Sequence, residues 1–211
     1  MKGWAVTLFA VGSLGLVLAL SRGAKVAPLP SGDILLLGDS LSVGKGTLGG
    51  NLASLLESDG RTVLVNALGG RSAASFIRGS GPKEPNGKGA GQLQEAIDAG
   101  VKSAVIVLGT NDLAGLAIGN PLDQTLKPFQ KIVDQLRSAG VEVYGIGAPH
   151  YQERPKFWPY ENALKEGLRD IYGVDHFIDA GPLTENYKMH AGGKAAKGFA
   201  ERLYAALTGK E

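Results

Sequence analysis

Ser40 is the first residue in the chain whose type and setting suit chemistry. It follows Gly38 and Asp39 at the end of an apolar run and precedes Leu41-Ser42-Val43-Gly44. A serine hydroxyl is a weak nucleophile at neutral pH and needs a neighbouring base. Histidine is the usual base, because its pKa lies near working pH. The chain has three histidines: His150, His176 and His190. Attack by serine on an acyl carbonyl creates an oxyanion, which is held by preorganised hydrogen-bond donors. Three donors are candidates. Ser40 offers its own backbone N–H at a strand-to-helix turn. Gly70, with Gly69 as a near-equal rival, offers a second backbone N–H. Asn111, in Gly109-Thr110-Asn111-Asp112, offers a side-chain amide. Together these residues suit nucleophilic acyl transfer.

Such groups must be carried to one place. Five short apolar runs, at 33–37, 62–66, 103–108, 141–146 and 176–178, read as strands buried on both faces. Helical patterns at 48–57, 92–99, 128–138, 162–172 and 195–207 lie between and after them. Pro128 suits the first turn of its helix, where no N–H is needed. Strands alternating with helices predict an α/β fold with a parallel five-stranded sheet and helices on both faces. Ligands of such sheets bind beyond the carboxyl ends of the strands. Ser40 follows the first run, Gly70 the second, Asn111 the third and His150 the fourth. His190 follows the fifth, just before the last helix. His176 starts a strand and belongs to the opposite end. The longest stretch without periodicity, 79–91, is either a rim or a substrate-binding loop.

These blocks resemble SGNH (GDSL) hydrolases. Gly38-Asp39-Ser40-Leu41 is similar to the family's first block. Asn66 through Gly70 is similar to the second, and Gly109-Thr110-Asn111-Asp112 to the third. His190 occupies the place of the family's histidine. The resemblance runs from Gly32 to Leu207. It implies a three-layer, flavodoxin-like sandwich and hydrolysis of esters or thioesters without a cofactor or metal. It makes Ser40, His190, Gly70 and Asn111 the catalytic set. Two positions depart from the family. Tyr187 stands three residues before His190, where Asp is usual, so the group orienting the imidazole is a backbone carbonyl, Glu185 or Asp179. Arg71 stands where Asp often follows the glycine, which bears on substrate preference. Asp39 and Asp112 read as residues that hold their loops.

Composition narrows the alternatives. The chain has 211 residues, 20% of them charged and 44% hydrophobic, as an ordinary globular domain has. The net charge is +2 with scattered Lys and Arg, so no nucleic-acid partner is expected. The absence of cysteine excludes thiolate catalysis and disulfides. Gly38 to Gly46 has the wrong spacing for a phosphate-binding loop. Residues 4–20 are almost wholly apolar between Lys2 and Arg22. Residues 1–22 therefore read as an apolar helix serving as a membrane anchor or a signal segment. Residues 23–31 read as a linker and 32–211 as the hydrolase domain. The expected setting is membrane-anchored or exported, in a bacterial envelope or periplasm, with a virion membrane as the other option. The expected substrate is a small ester, an acylated glycan (peptidoglycan included) or a lipid. The competing class is a catalytically inactive module of the same fold that binds glycans, favoured only by Tyr187.

Overall fold

The structure, a computed structural model, describes residues 26–79, 89–181 and 193–210. The apolar run at 4–20, most of the polar stretch 79–91, Glu185, Tyr187 and His190 lie outside the described residues.

The apolar runs form five parallel strands: β1 (Ile34–Gly38), β2 (Val63–Ala67), β3 (Ser103–Val107), β4 (Glu142–Ile146) and β5 (Phe177–Ile178). Their order in the sheet is β2-β1-β3-β4-β5. Every residue of β1 and β3 is buried, so both faces are covered. β2 differs from the expectation of a strand buried on both faces: Leu64 and Val65 are exposed. The reason is position, since β2 is an edge strand with a neighbour on one side only.

The helices are α1 (Leu48–Ser58), α2 (Ala73–Arg78), α3 (Gly89–Asp98), α4 (Thr110–Ala117), α5 (Leu122–Ser138), α6 (Trp158–Tyr172) and α7 (Gly193–Thr208). α1 packs on α7, while α5 packs on α2, α3 and α6. α1 buries Leu48, Leu52 and Leu56, one stripe at helical spacing. α5 starts six residues earlier than the apolar periodicity predicts. Pro121 caps it, and Pro128 lies inside the helix instead of in its first turn. A proline there leaves one carbonyl of the preceding turn without its N–H partner, but Phe129, Ile132, Val133 and Leu136 bury the adjoining stripe. α2 and α4 are short; α2 follows directly on the loop that carries Gly70, and Asn111 lies in the first turn of α4.

The stretch entering β1 is packed onto the domain from Val26, where a linker was expected. Leu29 is buried, its N–H donates to the carbonyl of Leu207 (2.7 Å), and the Ala27 N–H donates to that of Asp175 (2.8 Å). Among the described residues, no helix is long and apolar enough to cross a membrane.

Candidate active site

After β1 the chain runs to one side of the sheet to make β2, then returns to the other side to make β3. The carboxyl ends of β1 and β3 therefore flank the point where strand order reverses, the usual position of a ligand crevice in an open parallel sheet. Gly38, the last residue of β1, is in register with Ala67 of β2 and Val107 of β3. Ser40, the Gly69-Gly70 turn and Asn111 follow these residues within two to four positions.

Ser40 opens a single 3₁₀ turn, Ser40–Ser42, capped by Asp39, whose Oδ1 accepts the Leu41 N–H at 2.9 Å. The turn leaves Ser40 half-buried while Leu41 and Ser42 are buried. Ser42 packs so closely on Gly38 and Gly49 that a Cβ on either would lie 2.3 or 2.4 Å from its Oγ. Glycine at position 38 is therefore a packing requirement, and Ser42 is not an accessible alternative nucleophile.

The second loop closes on the first through the Leu68 N–H, which donates to the Gly38 carbonyl at 3.2 Å. A Cβ on Gly69 would lie 4.0 Å from that of Ser40, so this turn passes directly beside the serine. Gly70 has φ +77°, the left-handed region that glycine adopts without strain, and the Cβ it lacks would point into open space.

Arg71 corrects its sequence reading. It is fully buried and cannot contact a substrate. Its Nη1 donates to the Asn66 carbonyl (2.8 Å), to Asn66 Oδ1 (2.9 Å) and, at longer range, to the Gly38 carbonyl (3.4 Å). Its guanidinium lies 5.0 Å from the centre of the Phe76 ring. Its own carbonyl accepts the Asn111 Nδ2 at 2.9 Å, which fixes that amide in direction. One residue thus ties the end of β1, the loop after β2 and Asn111 together.

Asp39 and Asp112 are both buried beneath these loops. Asp112 accepts the Ala73 N–H that starts α2, at 3.1 and 3.4 Å. Burial pushes Asp39 up to about 7 against the pull of the Leu41 N–H and the charge of Arg71. Burial likewise raises Asp112 to about 7, and the nearby Asp39 charge adds to that rise. Both aspartates hold loops, as read from the sequence.

His150 follows β4 at the same edge. Its Nδ1 lies 2.7 Å from Glu161 Oε2, and its ring lies 5.5 Å from that of Trp158. The carboxylate–imidazole pair that sequence could not find for His190 is present here, on the other candidate base. Nothing in the sequence pointed to Glu161, which sits in the first turn of α6. Asp179, a candidate to orient His190, is 3.4 Å from Lys165 Nζ and accepts the Gly181 N–H. Around these pairs lies a cavity of about 550 Å³ with an apolar floor that includes Leu113, Leu164 and Leu168. His176 sits at the opposite end, between Asp175 and Glu142, each at 2.9 Å.

Several solved structures share this fold. The esterase EstA of Pseudoalteromonas sp., in a structure inhibited by monoethylphosphonate, is 16% identical over 83% of this chain and 96% of its own, with a TM-score of 0.57. A putative GDSL-like lipase of Parabacteroides merdae is 13% identical over 89% and 100%, with a TM-score of 0.63. An acetyl-xylooligosaccharide esterase of Geobacillus is 13% identical over 87% and 96%, with a TM-score of 0.62. No curated protein matches the chain in sequence. The GDSL-like lipase/acylhydrolase family model matches residues 36–199, a span that starts within β1 and ends in α7. The chain belongs to the GDSL-like lipase/acylhydrolase family and is an enzyme of that esterase and lipase type.

Proposed function

We propose that the chain is a serine esterase that cleaves an acyl ester with Ser40 as nucleophile and His190 as base. Ser40 Oγ attacks the acyl carbon as its proton passes to the imidazole. The carbonyl oxygen becomes an oxyanion, received by the N–H groups of Ser40 and Gly70 and by Asn111 Nδ2. Collapse breaks the ester C–O bond, and the imidazolium gives its proton to the departing alcohol. Water then cleaves the acyl-serine by the same path in reverse. No cofactor enters these steps.

The observation that carries this reading is the clustering at the switch point. A half-buried serine stands on a capped turn, with the Gly69-Gly70 turn beside it and Asn111 held by the carbonyl of Arg71. The missing aspartate before His190 leaves a weaker orienting group, so turnover at neutral pH is modest. A second reading takes His150 as the base, because Glu161 already orients it at 2.7 Å.

Hydrolysis of short-chain p-nitrophenyl esters tests the proposal. Ser40→Ala is expected to lower kcat by at least about ten-thousandfold, with the melting temperature nearly unchanged. Absence of turnover by the wild-type chain on a broad ester panel would instead favour the glycan-binding module.

A further inference from the structure

The segment entering β1 is fastened at the end of the sheet opposite Ser40. Its partners there are Asp175, just before β5, Leu207, near the end of α7, and Arg61, just before β2. The Arg61 guanidinium donates to the carbonyls of Leu29 and Pro30, and Tyr144 Oη donates to that of Pro28 at 3.1 Å. Five residues, 21–25, separate this fastened stretch from the apolar run at 4–20. Five residues reach about 17 Å at full extension. A domain of this size is roughly 40 Å across. An apolar segment seated in a bilayer therefore keeps the amino edge of the sheet close to that bilayer, with the Ser40 edge on the far side.

The cavity beside the Ser40 edge, which combines polar residues such as His150, Glu161 and Lys165 with apolar ones such as Leu113, Leu164 and Leu168, lies on that far side as well.

We propose that residues 4–20 tether the enzyme to a membrane with its catalytic edge turned away, so that it acts on esters standing off the membrane and spares the lipids of the bilayer that carries it. The substrate part of this proposal rests on the esterase reading; the orientation does not.

The chain has no cysteine, so single labels can be placed cleanly. Val174 is 58% exposed and neighbours Asp175 at the amino edge; Val43 is 46% exposed and lies three residues from Ser40. Full-length Val174→Cys and Val43→Cys chains, each carrying a donor dye, are reconstituted into phosphatidylethanolamine–phosphatidylglycerol vesicles containing a short-range acceptor on the lipid headgroup. Energy transfer from position 174 is expected to exceed that from position 43 by at least about threefold, given a body roughly 40 Å across. Equal or reversed transfer, or failure of the chain to float with the vesicles, overturns the proposal. The vesicle-bound chain is also expected to hydrolyse added p-nitrophenyl acetate while leaving the vesicle phospholipid intact. Hydrolysis of that phospholipid overturns the proposal as well. The expected energy transfer without hydrolysis of any added ester contradicts the esterase reading and leaves the orientation standing.

Discussion

The two halves of the carboxyl edge are built on different principles. On the β1–β3 side, charge is buried: Arg71, Asp39 and Asp112 are all inaccessible and bond largely to main-chain groups. That side presents a half-buried serine and an asparagine fixed by a carbonyl, in a frame with little freedom. On the β4–β5 side, polar groups are partly exposed and paired side chain to side chain, His150 with Glu161 and Lys165 with Asp179, around an open cavity. Buried polar groups satisfied by main chain give rigidity, as a preorganised oxyanion site requires. Partly exposed pairs rearrange at small cost, as a surface that accepts a leaving group requires. In the proposed reading, the β1–β3 side carries the chemistry and the β4–β5 side receives the substrate.

The largest expected effect asks which side supplies the base. His190→Ala should lower kcat by at least about a thousandfold, as loss of a triad member does, and His150→Ala far less. If His150→Ala and Glu161→Gln are the more damaging, the base belongs to the β4 side. Activity should rise with pH through a midpoint as the base loses its proton. Tyr187→Asp should move that midpoint upward.

A smaller effect tests whether the buried frame serves catalysis. Asn111→Ala should reduce kcat by about a hundred- to a thousandfold with KM nearly constant, the range for one oxyanion donor. Arg71→Met, measured on folded protein, should reduce kcat by about ten- to a hundredfold through the same amide, so the double variant loses less than the product of the two single losses. Arg71→Lys should recover part of the loss. Equal kcat in wild type and Arg71→Met, with only a lower melting temperature, would make Arg71 a fold residue alone.

The smallest effect concerns stability. Asp39 and Asp112 have folded-state values near 7, above the ordinary value of 3.8. The folded state holds their protons when the unfolded chain has already released them. Their contribution is therefore complete below about pH 4 and is lost as pH rises toward about 7. His176 adds a loss of the same sign only above about pH 6.5: burial of its ring opposes the charge, but hydrogen bonds to Asp175 and Glu142 outweigh it and raise its pKa. Melting temperature should thus fall between about pH 4 and pH 7. Asp112→Asn keeps an acceptor for the Ala73 N–H, and thermal melts across that range should show a shallower fall.

The β1–β3 side was legible because its parts are contiguous in sequence. Gly38-Asp39-Ser40 and Gly109-Thr110-Asn111-Asp112 each end a buried run, and a parallel sheet brings such ends together. The β4–β5 side was not, because Glu161 and His150 belong to different elements and Lys165 meets Asp179 through tertiary packing. Arg71 was misread for a related reason. A charged residue in a glycine-rich loop suggests exposure, and its hydrogen bonds to Asn66 and Gly38 are among the contacts that make its burial tolerable. Pro128 was misplaced because proline signals a helix start, yet tertiary burial of the following stripe outweighs one lost backbone bond. The exposed strand β2 was read as interior because its Val-Leu-Val run carries no mark of its edge position.

The most direct measurement of the central claim is covalent labelling of the full chain with an organophosphonate ester, followed by peptide mass mapping. The account predicts stoichiometric loss of ester hydrolysis with a single adduct on Ser40, and no adduct in Ser40→Ala. An adduct on Ser42 or Ser72, or inactivation without any serine adduct, would contradict it.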